Sequence, residues 1–251
     1  MHRFFVVSDN IADNKIFITG KDVSHIRKVL RMKEGEQLEV CDSSGRVYLC
    51  VIEDFSIMDS NEVVVLNIEK AWKSDTELSS KVYLFQGLPK GDKMDLIIQK
   101  AVELGVYQVI PMSTNRAVVK LDDRKATKKI QRWHSISESA AKQSGRSYIP
   151  QIQCPMSISK ALDYCKKENI DVILIAYELE GAMEETRKVI KRIKPGQQIA
   201  VFIGPEGGFD KEEIEQAIDA GAIPISLGKR ILRTETAGLA VLSIVMYEVE
   251  K

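Results

Sequence analysis

The sequence is poor in the residues that build zinc sites and disulfide frameworks. Its 251 residues include four cysteines and three histidines, and no two cysteines form a Cys-x-x-Cys pair. Zinc sites need clustered ligands, and disulfide frameworks need densely spaced cysteines. We therefore expect neither a metal site nor a disulfide framework. The cysteines are Cys41, Cys50, Cys154 and Cys165.

Long hydrophobic runs are also missing. No run approaches the roughly 18 apolar residues of a membrane-spanning helix. The apolar run Phe4–Val7 ends at Ser8, so it is too short for the hydrophobic part of a signal peptide. With 44% hydrophobic and 29% charged residues, the composition is that of a globular protein with a sizeable core. These features favour a cytoplasmic protein without a membrane partner.

Net charge is absent, because 36 basic residues balance 36 acidic ones. The chain therefore cannot hold nucleic acid by bulk charge alone, and local clusters must be considered. Residues 115–146 contain nine Lys or Arg against three acidic residues, and residues 21–33 contain five against one. Two such clusters indicate that the binding partner is a long polyanion rather than a small ligand. The competing interpretation is that these basic residues only form solvated helix faces.

The order of secondary-structure patterns predicts two domains. Short extended runs and one helical segment, residues 22–32, fill residues 1–72 and indicate a small β-rich domain. Residues 73–80 are polar and form the expected linker. Strands alternate with helices over residues 81–251, which indicates an α/β domain with a mostly parallel sheet.

A glycine-rich turn is the sharpest local motif. The apolar strand 199–203 runs into Gly204-Pro205-Glu206-Gly207-Gly208, and a helix capped by Asp210 follows. Open α/β sheets bind ligands at the carboxyl ends of their strands, so this turn is a candidate binding loop. It matches neither a Walker loop nor the Rossmann spacing, so phosphate binding has no specific support. A tight turn without a ligand is the competing interpretation.

A second loop precedes the C-terminal helix. The expected strand 224–227 leads into a basic loop, and Thr234 is the expected N-cap of a helix over residues 234–249. This helix is apolar nearly all round, which is typical of a helix that is covered on more than one side. We therefore expect a homodimer.

Five segments stand in an order along the chain that is not generic. They are Arg3–Phe5, His25–Arg31, Lys90–Gly105, Ile203–Phe209 and Leu227–Thr236. Together they resemble the ribosomal RNA small subunit methyltransferase E family. The resemblance implies methylation of uridine N3 in 16S rRNA of the small ribosomal subunit, with S-adenosyl-L-methionine as methyl donor. It also implies a SPOUT-type knotted α/β methyltransferase domain with a C-terminal trefoil knot, preceded by a small PUA-like β-barrel that binds RNA.

The resemblance implies that the cofactor lies bent among three adjacent loops. Leu227, Ile231 and Leu232 would sandwich the adenine. Gly204 and Gly207 would leave room for the ribose and the sulfonium. The expected cofactor-binding residues are Ile175, Ile203, Gly204, Pro205, Glu206, Gly207, Leu227, Gly228, Ile231, Leu232 and Thr234.

Methyl transfer to uracil N3 requires that the imide proton be removed or the resulting anion be stabilised. We expect Arg233 or Arg230 to stabilise charge on the uracil carbonyls. We expect Glu206 or Glu235 to accept the proton, and the sequence does not decide between these two carboxylates. Either of them can instead form a structural ion pair with an arginine. The residues expected to contact RNA are Arg3, Arg27, Lys28, Arg31, Arg116, Arg132 and Arg146.

Two other functions stay open from the sequence. The same fold can methylate a ribose 2′-hydroxyl, which would use the same cofactor loops and a different target atom. A non-catalytic RNA-binding factor of ribosome assembly would also carry both basic clusters, although it would not need the two loops intact.

Overall fold

The computed structural model describes residues 1–42, 44–58, 60–119, 122–177 and 183–250. The chain divides into two units. The first unit is Met1–Glu77 together with Ala141–Tyr148, and the second is Leu78–Ala140 together with Ile149–Lys251. Within the described ranges, no helix combines the length and the apolar character that crossing a bilayer requires.

The first unit is built on a six-stranded sheet. Its strands, in the order β1-β4-β5-β6-β3-β2, pair antiparallel except for the parallel pair of β1 and β4. Alternating apolar residues of these strands form its core, as the period of two in the sequence predicts. The strands are β1 (Arg3–Val6), β2 (Ile11–Ala12), β3 (Lys15–Ile18), β4 (Gln37–Asp42), β5 (Arg46–Met58) and β6 (Asn61–Lys73). Strand β6 thus ends one residue beyond the expected domain boundary at residue 72.

The helical segment of the first unit is shorter than its sequence pattern predicts. Helix α1 (Lys21–Ser24) continues as a π-helical segment, His25–Val29. Arg31 has a φ of 55°, which an α-helix cannot accommodate, so the expected helix over residues 22–32 ends before Met32. The buried side chains of Val23 and Ile26 attach the segment to the core, as the spacing of apolar residues predicts.

The second unit has a six-stranded parallel sheet, and its strand order is β12-β10-β11-β7-β8-β9. The strands are β7 (Lys81–Gly87), β8 (Gln108–Met112), β9 (Gln151–Ile152), β10 (Val172–Ala176), β11 (Gln198–Ile203) and β12 (Ile223–Ile225). The helices are α2 (Lys93–Glu103), α3 (Asp123–Gln143), α4 (Ile158–Lys167), α5 (Met183–Arg192), α6 (Lys211–Asp219) and α7 (Thr234–Val249). The residues of α3 from Ala141 onward belong to the first unit. The expected α/β alternation with a parallel sheet is confirmed.

The core of the second unit brings the carboxyl ends of three strands together. Strands β12, β10 and β11 are neighbours, and the stacked rings of Phe85 and Phe202 join β11 to β7 at a centroid distance of 4.3 Å. Helix α7 packs against α2, β11 and β7. The loops that leave β10, β11 and β12 therefore start side by side at one edge of the sheet, which is where α/β proteins bind ligands.

Candidate functional site

A cavity of about 470 Å³ lies at the carboxyl ends of β10, β11 and β12 in the second unit. Four segments build most of its wall: the end of β10, the glycine-rich turn after β11, the loop after β12, and the first residues of α7. Lys93 of α2 and Arg116 of the loop after β8 complete it. The two sequence motifs thus meet in one site.

The glycine-rich turn is held by close contacts within its own backbone. A Cβ atom on Gly204 would lie 2.9 Å from the backbone of Gly208, and one on Gly87 would lie 2.5 Å from the backbone nitrogen of Pro205. Both distances are far below van der Waals contact, so only glycine fits. The turn is closed by a hydrogen bond from the Gly208 amide to the Pro205 carbonyl, 2.9 Å long. The fold of the turn itself thus requires glycine at position 204. The space that this glycine was expected to leave for a ligand is a consequence of that requirement.

Gly207 has a different neighbour from the one expected. A Cβ atom there would lie 3.1 Å from Cβ of Arg116, so the absence of a side chain leaves room for the arginine rather than directly for a ligand. Nη1 of Arg116 donates a hydrogen bond to the Gly207 carbonyl at 3.2 Å. The neighbouring Asn115 donates from its backbone amide to Glu213 and from its side chain to Asp210. The loop after β8 therefore supports the glycine-rich turn and the start of α6.

Thr234 does not cap helix α7, contrary to our expectation. The N-cap is Arg233, and Thr234 is the first helical residue. The Thr234 hydroxyl donates to the carbonyl oxygen of Gly204 at 2.6 Å and accepts a hydrogen bond from Nε2 of Gln86 at 2.8 Å. The hydroxyl thus connects α7 to the glycine-rich turn instead of capping the helix. The sequence did not lead us to expect a role for Gln86. The feature that could have indicated one is its polar amide side chain near the end of an otherwise apolar strand.

The cavity wall has an apolar part and a charged part. Nearly all the expected cofactor-binding residues line the cavity. The exception is Ile175, which is fully buried in the hydrophobic core, and its successors Ala176 and Tyr177 line the cavity in its place. Ile231 is 85% exposed, so it does not pack in the core. Its side chain instead contributes apolar surface to the cavity. The apolar lining residues include Ala176, Ile203, Ile225, Leu227, Leu232 and Ala237, and the charged ones are Lys93, Arg116, Glu206, Arg230 and Arg233.

Glu206 is the carboxylate of this wall, and it is strongly held. Nζ of Lys93 donates to its Oε1 at 2.7 Å, and the backbone amide of Lys90 donates to both carboxylate oxygens at 3.2 and 3.4 Å. Partial burial opposes ionisation of Glu206, but these hydrogen bonds and its own backbone amide outweigh it, so its pKa lies below the ordinary value. The hydrogen bond to Glu206 in turn raises the pKa of Lys93.

Glu235, the other expected proton acceptor, does not belong to the cavity lining. Its Oε2 atom is buried, has no hydrogen-bond partner within the described part of the chain, and lies 3.6 Å from Nζ of Lys93. The two carboxylates thus share one lysine, although the expected structural partner was an arginine. Lys93 lies 113 residues before Glu206, and nothing in the sequence around it indicates this contact.

Two of the arginines expected to contact RNA are held inside the first unit. Arg3 is paired with Glu39 and donates to the carbonyl oxygens of Gly145 and Arg146. The buried Arg146 is paired with Glu77. Both guanidinium groups are largely buried and paired with a carboxylate, so neither is included in the RNA surface proposed below.

The other basic residues lie on the surface. Arg27, Lys28 and Arg31 are exposed, and Arg27 is 3.3 Å from Glu62 and packs over the ring of Phe55. The exposed guanidinium of Arg132 is paired with Asp95. Arg116 lines the cavity. Lys120, which contributed to the basic cluster of residues 115–146, lies outside the described residues.

Comparisons with known proteins show which family this chain resembles. A family model described as an RNA methyltransferase domain matches residues 76–246, and one described as an RNA methyltransferase PUA domain matches residues 18–56. A ribosomal RNA small subunit methyltransferase E of Bacillus subtilis (strain 168) is 38% identical over 257 residues, which cover 100% of this chain and 98% of that protein.

Solved structures give the same result. The ribosomal RNA small subunit methyltransferase E of Neisseria gonorrhoeae bound to S-adenosyl methionine superposes with a TM-score of 0.81 and 30% identity, covering 98% of this chain and 97% of that one. A methyltransferase of Legionella pneumophila in complex with the cofactor SAM gives a TM-score of 0.84 and 30% identity, covering 98% and 96%.

Proposed function

The chain belongs to the ribosomal RNA small subunit methyltransferase E family, and we propose that it methylates N3 of a uridine in 16S rRNA of the small ribosomal subunit, with S-adenosyl-L-methionine as methyl donor. The observation that carries this proposal is the composition of one cavity wall, which combines an apolar part with four cationic side chains and one carboxylate. An apolar part suits an aromatic base, and cationic groups suit an anion that develops during reaction.

The cavity residues fit the proposed cofactor. Leu227, Leu232 and Ile203 offer apolar surface to a purine ring, and the backbone of the glycine-rich turn offers donors and acceptors to its polar edge. The volume of about 470 Å³ is ordinary for a small-molecule site. When bound, the cofactor supplies a methyl group on a positively charged sulfur. The residues proposed to hold it are the expected set without Ile175, joined by Ala176 and Tyr177.

The charged part of the wall handles the methyl acceptor. Loss of the N3 proton would leave an imide anion whose negative charge is shared by the two uracil carbonyls until N3 is methylated. Arg233 and Arg230 stabilise that charge. The ionised Glu206 accepts the proton and releases it to water. Because the lowered pKa of Glu206 makes it a weak base, the arginines contribute more to the rate than the carboxylate does.

The target uridine must leave its base pair before it reacts. N3 lies on the Watson–Crick edge, so a paired base presents no free N3 to the cavity. We propose that Arg116, which lines the cavity and is attached to the glycine-rich turn, contacts the flipped nucleotide. This assigns Arg116 to the active site rather than to a distant phosphate contact.

The domain arrangement forms part of the same proposal. We assign residues 1–72 to a PUA-like RNA-binding barrel, residues 73–80 to the linker and residues 81–251, apart from Ala141–Tyr148 of the first unit, to a SPOUT methyltransferase domain with a C-terminal trefoil knot. The match of a PUA model to residues 18–56 supports the first assignment. The parallel sheet whose last strand, β12, lies next to β10 supports the second.

In vitro methylation tests the proposed reaction. The purified protein is incubated with S-adenosyl-L-methionine and either naked 16S rRNA or small subunits that lack the modification, and the nucleosides are then separated by mass spectrometry. We expect 3-methyluridine to appear with at least one of the two substrates. Appearance of a 2′-O-methylated nucleoside, or of no modified nucleoside despite cofactor binding, would overturn the proposal.

The proposed homodimer can be tested on helix α7. Ile244 and Tyr247 are 45% and 76% exposed on this apolar helix, and an interface would cover them. We expect Ile244→Glu to convert a dimer into a monomer in light scattering, because an interface core does not accommodate an unpaired charge. Ile218→Glu on α6, at an equally exposed isoleucine, is the matched control and should stay dimeric. A monomeric and active wild-type protein would refute the assignment.

The proposed RNA surface of the first unit comprises Arg27, Lys28 and Arg31. Reversing the charge of Arg27 and Arg31 together should weaken RNA binding and reduce the salt dependence of the affinity by about one unit of slope per lost phosphate contact. The control Lys70→Glu with Lys73→Glu changes the net charge equally and should leave the slope unchanged. Filter binding across a salt series measures the RNA affinity and its salt dependence for each variant. An unaltered slope in the Arg27 and Arg31 variant would mean that this helix face is merely solvated.

A further inference from the structure

Lys93 of the second unit contacts the Glu206 carboxylate of the glycine-rich turn. It is the first residue of α2, and the turn before it directs the backbone amide of Lys90 and Nζ of Lys93 to Glu206. Gly91 has a φ of 66°, which allows that turn. Glu206 therefore receives both donors from a segment more than one hundred residues away in sequence.

The same ammonium also faces a second carboxylate. Nζ of Lys93 is 3.6 Å from Oε2 of Glu235, in the first turn of α7. That oxygen is buried and makes no hydrogen bond within the described part of the chain. A buried carboxylate oxygen without a donor is unfavourable unless a nearby positive charge compensates it. Lys93 provides this charge.

The arrangement differs from an ordinary surface ion pair. The side chains of Lys93, Glu206 and Glu235 are 29%, 31% and 17% exposed, against 86% and 59% in the surface pair Lys211–Glu215. Lys93 and Glu206 also line the cavity. The charged groups that act on Lys93 from the packed elements are Glu206, Glu235 and Arg233. Removing the lysine would leave two carboxylates near one another without their shared counter-charge.

Resting on the proposed methyl transfer, we propose that Lys93 is a positioning residue of the active site. Its ammonium holds the Glu206 carboxylate in the cavity wall and joins the glycine-rich turn to the first turn of α7, whose N-cap residue is Arg233. Lys93 thus keeps the proton acceptor and the anion-stabilising arginine at a fixed separation. It acts through Glu206 and Arg233 rather than on the substrate.

The test compares Lys93→Met with Lys93→Arg. We expect Lys93→Met to lower kcat by up to about 100-fold, because a small displacement of reacting groups has an effect of this size. The calorimetric affinity for S-adenosyl-L-methionine should fall much less than kcat does. Without Lys93 the ionised form of Glu206 is less favoured and its pKa rises, so the acidic limb of the kcat–pH profile should move to higher pH. Lys93→Arg keeps the charge and should restore most of kcat and the position of that limb.

Matched variants separate this role from general stability. Lys211→Met removes a lysine at the first position of α6 and should leave kcat and the pH profile unchanged. Glu206→Gln combined with Lys93→Met should lower kcat by less than the product of the two single effects, because Lys93 acts in part through that carboxylate. If Lys93→Met fails to fold, Lys93→Gln, which keeps a hydrogen-bond donor without a charge, is measured with the same two readouts.

The outcomes also distinguish the two proposals. A wild-type protein that neither binds the cofactor nor methylates rRNA overturns the proposed function. An active wild type, with a Lys93→Met variant that has unchanged kcat or an unmoved acidic limb, overturns the role of Lys93 alone.

Discussion

Gly87→Ala is expected to weaken S-adenosyl-L-methionine binding by about 10- to 100-fold. The new Cβ atom would lie 2.5 Å from the backbone nitrogen of Pro205 and 2.9 Å from the carbonyl carbon of Gly204. Backbone atoms cannot rotate away as a side chain can, so the glycine-rich turn itself must shift. Forcing an extra carbon into a packed site costs about 1–3 kcal/mol, which corresponds to this loss of affinity if the displaced turn contacts the cofactor.

Isothermal titration calorimetry measures this effect directly. Gly238→Ala in α7 is the control, because the nearest atom to its new Cβ, Oε1 of Gln86, is 3.4 Å away and alanine favours a helix. It should bind the cofactor like the wild type. A folded Gly87→Ala protein with wild-type affinity would show that the turn does not hold the cofactor. Gly207→Val is a less direct test, because its side chain first meets Arg116.

Arg233→Met is expected to reduce kcat by about 10²- to 10³-fold, the size of effect that removal of one oxyanion-stabilising donor has in enzymes. Arg233 lines the cavity, and its positive charge opposes the rise in the pKa of Lys93 that the hydrogen bond to Glu206 causes. It therefore belongs to the charged part of the wall. Cofactor affinity should change little, because the guanidinium acts on charge that develops in the uracil. A matched loss in cofactor affinity would instead place Arg233 in the cofactor site.

Single-turnover methylation with saturating cofactor is the appropriate measurement for Arg233. Lys at this position should recover part of the rate, since it keeps the charge but not the planar pair of donors. Arg192→Met on the exposed face of α5 is the control and should be indistinguishable from the wild type. An unchanged kcat in Arg233→Met would leave Arg230 as the anion-stabilising residue.

The parts of the site that are local in sequence could be predicted from it. The apolar strand, the glycine-rich turn and the helix after it follow one another, and the capping box between Asp210 and Glu213 is present as expected. A capping box involves residues three positions apart, so its geometry is determined by the helix alone. The meeting of both loops in one cavity followed from the position of strand ends in a parallel sheet.

The contacts between distant segments could not be predicted in the same way. The pattern of α2 predicts a helix, but nothing in it indicates that its first residue contacts Glu206. Gln86 lies 148 residues before its hydrogen-bond partner Thr234. A threonine hydroxyl at the start of a helix can cap that helix or form a hydrogen bond with another segment. Only the fold shows that the Thr234 hydroxyl donates to the Gly204 carbonyl oxygen.

The basic clusters show the limit of reading charge along the sequence. Arg3 and Arg146 contribute to basic segments, yet each is paired with a glutamate, 36 and 69 residues away respectively. A sum over neighbouring residues does not include such partners. Arg27, Lys28 and Arg31 lie on an exposed segment, so for them the sequence expectation and the exposure agree.

Nucleoside analysis of 16S rRNA from a strain that lacks this protein tests the central claim most directly. The rRNA is digested and its methylated uridines are measured by mass spectrometry, before and after the strain receives the wild-type chain or Arg233→Met. We predict that 3-methyluridine is absent from 16S rRNA of this strain, returns with the wild-type chain and does not return to its full level with the variant. Undiminished 3-methyluridine in the strain without the protein, or loss of a different modified nucleoside, would contradict the assignment.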